Sequence, residues 1–290
     1  MKATNCPSIV IGLAGTLFEV AGAVFTDAIY TETLFAIDLR LGFDKDAAVL
    51  RLARFLLVLR DTFHDIGHHY QALATTAPSS RTSLFFPSSV RLSGDEIPSS
   101  LTYISKLSRL GNTLDVDRCH GIYVANISHD TPPRRVVVKF TTSYDAKAHR
   151  LLEKHQLAPA LHCCCLVKGG YVMVVMDYME GKTAWQLIKD EGRIPVKVYN
   201  DVARAISLLH GENLVFGDLR LPNIMVTKSG DTRLIDFDWV SVEGMGRYPA
   251  TLNEDIVVDT WAPGVERRGL MTKAHDLFML VKLHSWCILE

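Results

Sequence analysis

Residues 217–239 read GDLRLPNIMVTKSGDTRLIDFDW, and the reading of the whole chain turns on them. Asp218 and Asn223 stand five positions apart with Arg220 between them. An aspartate and an asparagine on one tight loop suit a proton-accepting base and a metal-binding amide oxygen. Two short strands follow, Ile224–Thr227 and Thr232–Ile235, around the turn Ser229-Gly230-Asp231. The second strand runs into Asp236 and Asp238, and carboxylates at a strand end suit a hard, oxygen-seeking cation such as Mg2+. Each feature is weak alone. A D-x-x-x-x-N match arises by chance roughly once in a chain of this size, and Asp236 reads equally well as a turn residue.

Upstream, Arg134–Thr141 (RRVVVKFT) is a β-branched run that carries Lys139. An ammonium on an apolar strand needs an anionic partner, because burying it unpaired is costly. The plainer alternative is a charge on an edge strand. The spacing predicts strands at Leu101–Leu107 and Gly121–Ile127, and a helix over Asp145–His155 stopped by Ala158-Pro159. Leu161–Val167 and Tyr171–Met176, joined by Lys168-Gly169-Gly170, predict a hairpin, and Val196–His210 predicts a helix. A small β-rich lobe before a helix-rich lobe is an α+β arrangement. The order is the specific signal: strand lysine, helix, hairpin, helix, D-x-x-x-x-N loop, then a strand ending in Asp-Phe.

On these motifs residues 100–290 resemble the protein kinase-like superfamily, between protein kinases and the choline/aminoglycoside phosphotransferases. DAKAHRLLEKHQLAPAL (145–161), GDLRLPNIMV and Lys273-Ala274-His275-Asp276 look most like kinase-like proteins of fungi. The resemblance implies a two-lobe fold that uses ATP and Mg2+. Lys139 matches the lysine that holds the α- and β-phosphates, Asp218 the catalytic aspartate, and Asn223 and Asp236 the magnesium ligands. Arg220 lies where a loop lysine approaches the γ-phosphate. Asp177, Tyr178 and Met179 match the hinge that pairs with adenine, with Met176 as gatekeeper. Asp276, at a helix start with Thr272 as its cap, matches the brace of the catalytic loop.

The sequence also departs from that pattern. Around Cys119–Tyr123 only Gly121 remains of a glycine-rich loop. No helix glutamate is evident to pair with Lys139: Ala146, Lys147 and Ala148 occupy the expected positions, Asp145 and Glu153 are stand-ins, and an inward Lys147 would repel it. Phe216 and Gly217 replace the histidine and arginine before the catalytic aspartate, which removes the charge partner of a phosphorylated activation loop. Asp238 replaces the glycine after Asp-Phe, as in the small-molecule branch.

The remaining chain is read as an N-terminal α/β extension at 1–75, a Ser/Thr/Pro-rich linker at 76–95, a kinase-like N-lobe and hinge at 96–179, and a C-lobe at 180–290. The C-lobe is expected to be incomplete, since the chain stops soon after Asp276. Ile9–Phe25 is the one membrane-like run, with a signal-like Ala21-Gly22-Ala23, but Glu19 and three glycines favour a pair of buried strands joined by glycine turns. Asp46–Leu73 predicts a helix with one apolar stripe, Leu52, Leu56, Leu59, Phe63, Ile66, Tyr70 and Leu73. On it, His64-Asp65-Ile66-Gly67-His68 resembles a zinc-protease motif, against which a solvated helix face is the simpler reading. Phe85 and Phe86 are expected to fasten the linker to a neighbouring surface.

Among 290 residues, 31 basic and 32 acidic side chains leave a net charge of −1, so a nucleic-acid partner has no electrostatic footprint. Of six cysteines, Cys163, Cys164 and Cys165 are consecutive, which suits buried thiols in a reducing compartment better than disulfides. The resulting expectation is a cytoplasmic, ATP- and Mg-dependent phosphotransferase. It acts on a hydroxyl, protein Ser/Thr ahead of a small molecule, with neither nucleic acid nor membrane as partner. The alternative is a pseudokinase that binds nucleotide or acts as a scaffold.

Overall fold

The N-terminal half of the first unit is a meander of β1 (Ser8–Ala14), β2 (Leu17–Phe25) and β3 (Ile29–Asp38), all antiparallel, followed by helix α1 (Lys45–Thr75). This computed structural model describes residues 6–25, 29–40, 45–75, 86–87, 89–107, 121–128, 132–252 and 261–287. It divides into two units, Met1–Ser88 and Ser89–Glu290. The apolar run Ile9–Phe25 does form two strands across a Gly15-Thr16 turn, but they are not buried as expected. Val20 is fully covered, whereas Val10, Ile11, Leu13 and Leu17 are exposed. The reason is that β1 is a sheet edge and α1 packs on β3, where Phe55 stacks on Phe35 at 4.0 Å. The helix stripe splits in the same way: Leu59 is buried while Leu56 and Phe63 face outward. His64 and His68 are also exposed, and among the described residues no three metal-ligating side chains cluster.

In the second unit, β4 (Arg91–Gly94), β5 (Leu101–Lys106), β6 (Ile122–Ile127), β7 (Arg134–Thr141), β8 (Leu161–Val167) and β9 (Val172–Asp177) form one antiparallel sheet. Its order is β4-β8-β9-β7-β6-β5. The boundary expected near residue 95 moves to 88/89, because Arg91 and Gly94 pair with Val167 and Cys165 and make the linker's end an edge strand. Residues 76–85, Phe85 included, lie outside the described residues.

Alternation along β7 gives the sheet two working faces. Val136 and Val138 pack with Ala125, Cys163, Cys165, Met173 and Val175 on one. Val137 lies with Val174 and Met176 on the other, the face that also carries Lys139. Helix α2 (Ala146–Lys154) follows, started by the Asp145 carboxylate, which accepts from Ala148 N.

The helical part comprises α3 (Ala184–Glu191), α4 (Val196–Gly211) and α5 (Lys273–His284). β10 (Gly181–Thr183) precedes them, and between α4 and α5 lie β11 (Leu214–Val215), β12 (Ile224–Thr227), β13 (Thr232–Leu234) and β14 (Ser241–Val242). Val202, Ala205, Ile206 and Leu209 line the buried stripe of α4 and pack with Leu152 of α2, Leu234 and Leu280. Helix α3 begins at a full capping box between Thr183 and Gln186 and ends on left-handed Gly192. One rigid core therefore supports both the loop after α4 and the β12–β13 hairpin.

Candidate functional site

The loop from Phe216 to Asn223 is fixed from beneath. Asp276, in the first turn of α5 and 1% exposed, accepts from Phe216 N at 2.8 Å, Gly217 N at 3.0 Å and His210 Nε2 at 3.0 Å. Thr272 is at the N-cap of α5, but its side chain makes no capping bond, so the expected role is positional only. Gly217 has φ +77°, and a Cβ there would stand 2.9 Å from Met271 Sδ. An arginine at 217 does not fit this backbone, which accounts for the glycine.

Asp218 is 5% exposed and held on both carboxylate oxygens by the Arg220 guanidinium, with Arg220 Nη2 at 2.7 Å from Oδ2. Arg220 lies over the rings of Trp261 at 5.0 Å and Trp239 at 5.8 Å. It is thus a clamped cation facing Asp218. Asn223 closes a single 3-10 turn, Leu221–Asn223, and donates from Nδ2 to the Asp218 carbonyl at 3.0 Å.

The β12–β13 hairpin delivers Asp236 with φ +72°, a left-handed conformation that aspartate tolerates better than most residues. The next residue, Phe237, is fully buried, stacked on His149 of α2 at 4.6 Å and edge-on to Phe216 at 5.7 Å. His149 Nε2 meets the Pro159 carbonyl at 2.8 Å and its Nδ1 meets the Tyr144 hydroxyl at 2.6 Å. The carbonyl only accepts, so Nε2 carries the proton and Tyr144 donates to Nδ1. Burial pushes this imidazole down to about 4.

Lys139, 7% exposed, reaches from β7 to Asp236 Oδ1 and to Asp238 Oδ1, each at 2.7 Å. Asp238 Oδ2 accepts from Thr141 at 2.7 Å, and its carbonyl accepts from Ser143 at 2.6 Å. Burial, and then the neighbouring Asp236 carboxylate, push Asp238 up to about 6. Lys147 is exposed, so the feared repulsion with Lys139 does not arise. Asp145 spends its carboxylate on the α2 N-terminus, leaving Asp238 in the part expected of a helix glutamate.

Met176 is buried on the Lys139 face of the sheet, and Asp177, Tyr178 and Met179 follow it out of β9. The Asp177 carboxylate meets His162 Nε2 at 2.7 Å, and Arg135 covers the Tyr178 ring at 4.5 Å. Gly121 is described, but Cys119 and His120 are outside the described residues. Sequence reasoning therefore named Lys139, Asp218, Asn223 and Asp236. It missed the Thr141–Asp238 support and the Trp239–Trp261 cover, for which only the second aspartate of IDFDW gave a sign.

A strand lysine held to an aspartate after a β-hairpin, above a buried aspartate on a braced loop, defines a protein kinase-like two-lobe fold. Residues 149–266 match the protein kinase domain, a span that includes Asp218, Asn223 and Asp236 and begins after Lys139. The likeness to the protein kinase domain thus covers less than half of the chain. The chain is 35% identical over 68 residues to a probable serine/threonine-protein kinase of Clostridium perfringens, covering 22% of this chain and 10% of that protein. It is 34% identical over 70 residues to cAMP-dependent protein kinase type 3 of Saccharomyces cerevisiae, covering 23% of this chain and 18% of that one. The solved Cydia pomonella granulovirus kinase aligns with a TM-score of 0.47 and 16% identity, over 66% of this chain and 70% of that one. The chain spans between a tenth and about a quarter of the length of the first curated relatives it matches. No helix among the described residues is long and apolar enough to cross a membrane.

Proposed function

We propose that residues 89–290 bind ATP with Mg2+ and transfer its γ-phosphoryl group to a hydroxyl, with protein serine or threonine as the acceptor class. The observation that carries this reading is Lys139 Nζ at 2.7 Å from Asp236 Oδ1, which joins two residues 97 positions apart. The likeness to probable serine/threonine-protein kinases supports the acceptor class.

The donor set fits the metal. Asp236 offers carboxylate oxygens and Asn223 an amide oxygen whose partner nitrogen is already committed to the Asp218 carbonyl, and hard cations take oxygen ligands. Magnesium, when bound there, supplies neutralisation of the phosphate charge. Lys139 then orients the α- and β-phosphates, and the peptide groups of Asp177 and Met179 meet adenine below Met176. Asp218 accepts the proton of the attacking hydroxyl, which requires Arg220 to loosen its hold on at least one carboxylate oxygen. Arg220, permanently charged, then stabilises the transferred group. Catalysis of this kind is positioning and electrostatics, and losing one such charge typically costs about 3 kcal/mol of barrier.

The test is incorporation of label from γ-labelled ATP into a generic serine/threonine acceptor such as casein, comparing the full chain with Asp218→Asn. Label that disappears in the variant supports the reading; equal label in both contradicts it. A second reading, a nucleotide-binding pseudokinase, is favoured by the occupation of both Asp218 oxygens by Arg220. Mg-ATP binding without transfer to any acceptor would select it.

A further inference from the structure

Lys139 has two acidic partners, and they are not equivalent. Asp236 is the residue a cation would recruit, so its bond to Lys139 weakens when the site fills. Asp238 is anchored differently. Its Oδ1 takes Lys139 at 2.7 Å, its Oδ2 takes the Thr141 hydroxyl at 2.7 Å, and the Ser143 hydroxyl holds its carbonyl at 2.6 Å. Thr141 ends the same strand that carries Lys139, two positions along and so on the same face. Lysine and acid are thus tied into one rigid unit at the end of β7.

Helix α2 offers no substitute. Asp145 accepts from Ala148 N at 2.8 Å as the helix cap, Lys147 is exposed, Ala146 and Ala148 carry no charge, and Glu153 makes no ion pair with Lys139. Among the described residues, the ion pairs of Lys139 are with Asp236 and Asp238.

We propose that Asp238, buttressed by Thr141 and Ser143, is the positioning residue that holds Lys139 toward the nucleotide, in place of an acid from helix α2. The consequence for nucleotide rests on the phosphotransferase reading above, whereas the grip on Lys139 does not. Both acidic partners of the lysine come from the segment after β13 and neither from α2, although Ser143 and the His149–Phe237 stack tie that segment to the helix.

Two measurements on the full chain separate these statements. The first is Mg-ATP affinity by titration calorimetry for wild type, Asp238→Asn, Thr141→Val and Asp145→Ala. The second is labelling of the Lys139 amine by reductive methylation in nucleotide-free protein, read by mass spectrometry. Loss of a charged hydrogen-bond partner predicts affinity about tenfold to a hundredfold weaker in Asp238→Asn. Thr141→Val weakens it less, and both variants label Lys139 faster. Asp145→Ala melts at a lower temperature, having lost a helix cap, with affinity and labelling unchanged. The proposal is overturned if Asp145→Ala frees Lys139 while Asp238→Asn does not. It is equally overturned if Asp238→Asn leaves labelling at the wild-type rate. Wild type that binds no Mg-ATP overturns the phosphotransferase reading instead, and the labelling still decides the partner of Lys139.

Discussion

Replacing Asp276 by alanine removes the support of the Phe216–Asn223 loop in one step. Three donors converge on this carboxylate, two of them backbone N–H groups in residues that are themselves buried. Each buried N–H deprived of its acceptor costs about 1–3 kcal/mol, so Asp276→Ala should lower the unfolding free energy of the Ser89–Glu290 unit by about 2–6 kcal/mol. Asp276→Asn keeps one acceptor oxygen and turns an amide donor toward another donor, so it should cost about half as much. Against a typical total of about 5–15 kcal/mol, the alanine loss is large. All four tryptophans, Trp185, Trp239, Trp261 and Trp286, follow Ser88, so intrinsic fluorescence in a urea titration reads this unit alone. A midpoint for Asp276→Ala that overlays wild type would refute the claim that this residue carries the loop.

His149 should make the unit acid-sensitive: held neutral with its pKa lowered from 6.5 to about 4, it gives stability that is complete above pH 6.5 and lost as the pH falls toward 4. The full loss is about 3 kcal/mol, and His149→Phe, which keeps a ring on Phe237, should flatten that part of the stability–pH curve. Gly217→Ala should destabilise by about 1–2 kcal/mol through its left-handed backbone alone, with Met271 having to move besides, and a melting curve unchanged from wild type would contradict the geometry. Cys163 and Cys165 are buried, and burial raises their thiols, with Cys164 pushed up to about 11. Ellman's reagent at pH 8 should therefore reach Cys163 and Cys165 only after unfolding, and their stoichiometric reaction in the native chain would argue against the sheet's packing.

Most of the sheet and both long helices of the second unit were legible because their signals are local. β-branched runs bounded by glycine turns gave β7, β8, β9 and β12, and a 3.6-residue stripe gave α4. Strand β4 was hidden because its residues, Arg91-Leu92-Ser93-Gly94, are all exposed and show no apolar run, and only pairing with β8 makes them a strand. The exposure of β1 was equally illegible, since an apolar run states its chemistry but not whether anything covers it. At the site, residue types and order pointed to Lys139, Asp218, Asn223 and Asp236 as candidates. The side-chain directions were not available from spacing: Asp145 turning into its own helix, Arg220 folding back on Asp218, and Asp238 reaching Lys139 all depend on tertiary contacts.

The most direct test of the central claim is titration calorimetry of the full chain with ATP, with and without Mg2+. The account predicts saturable binding within the usual enzyme range of about 1 μM–1 mM, strengthened by Mg2+ and lost in both Lys139→Met and Asp236→Ala. Absence of binding, or binding that survives both substitutions, would contradict it.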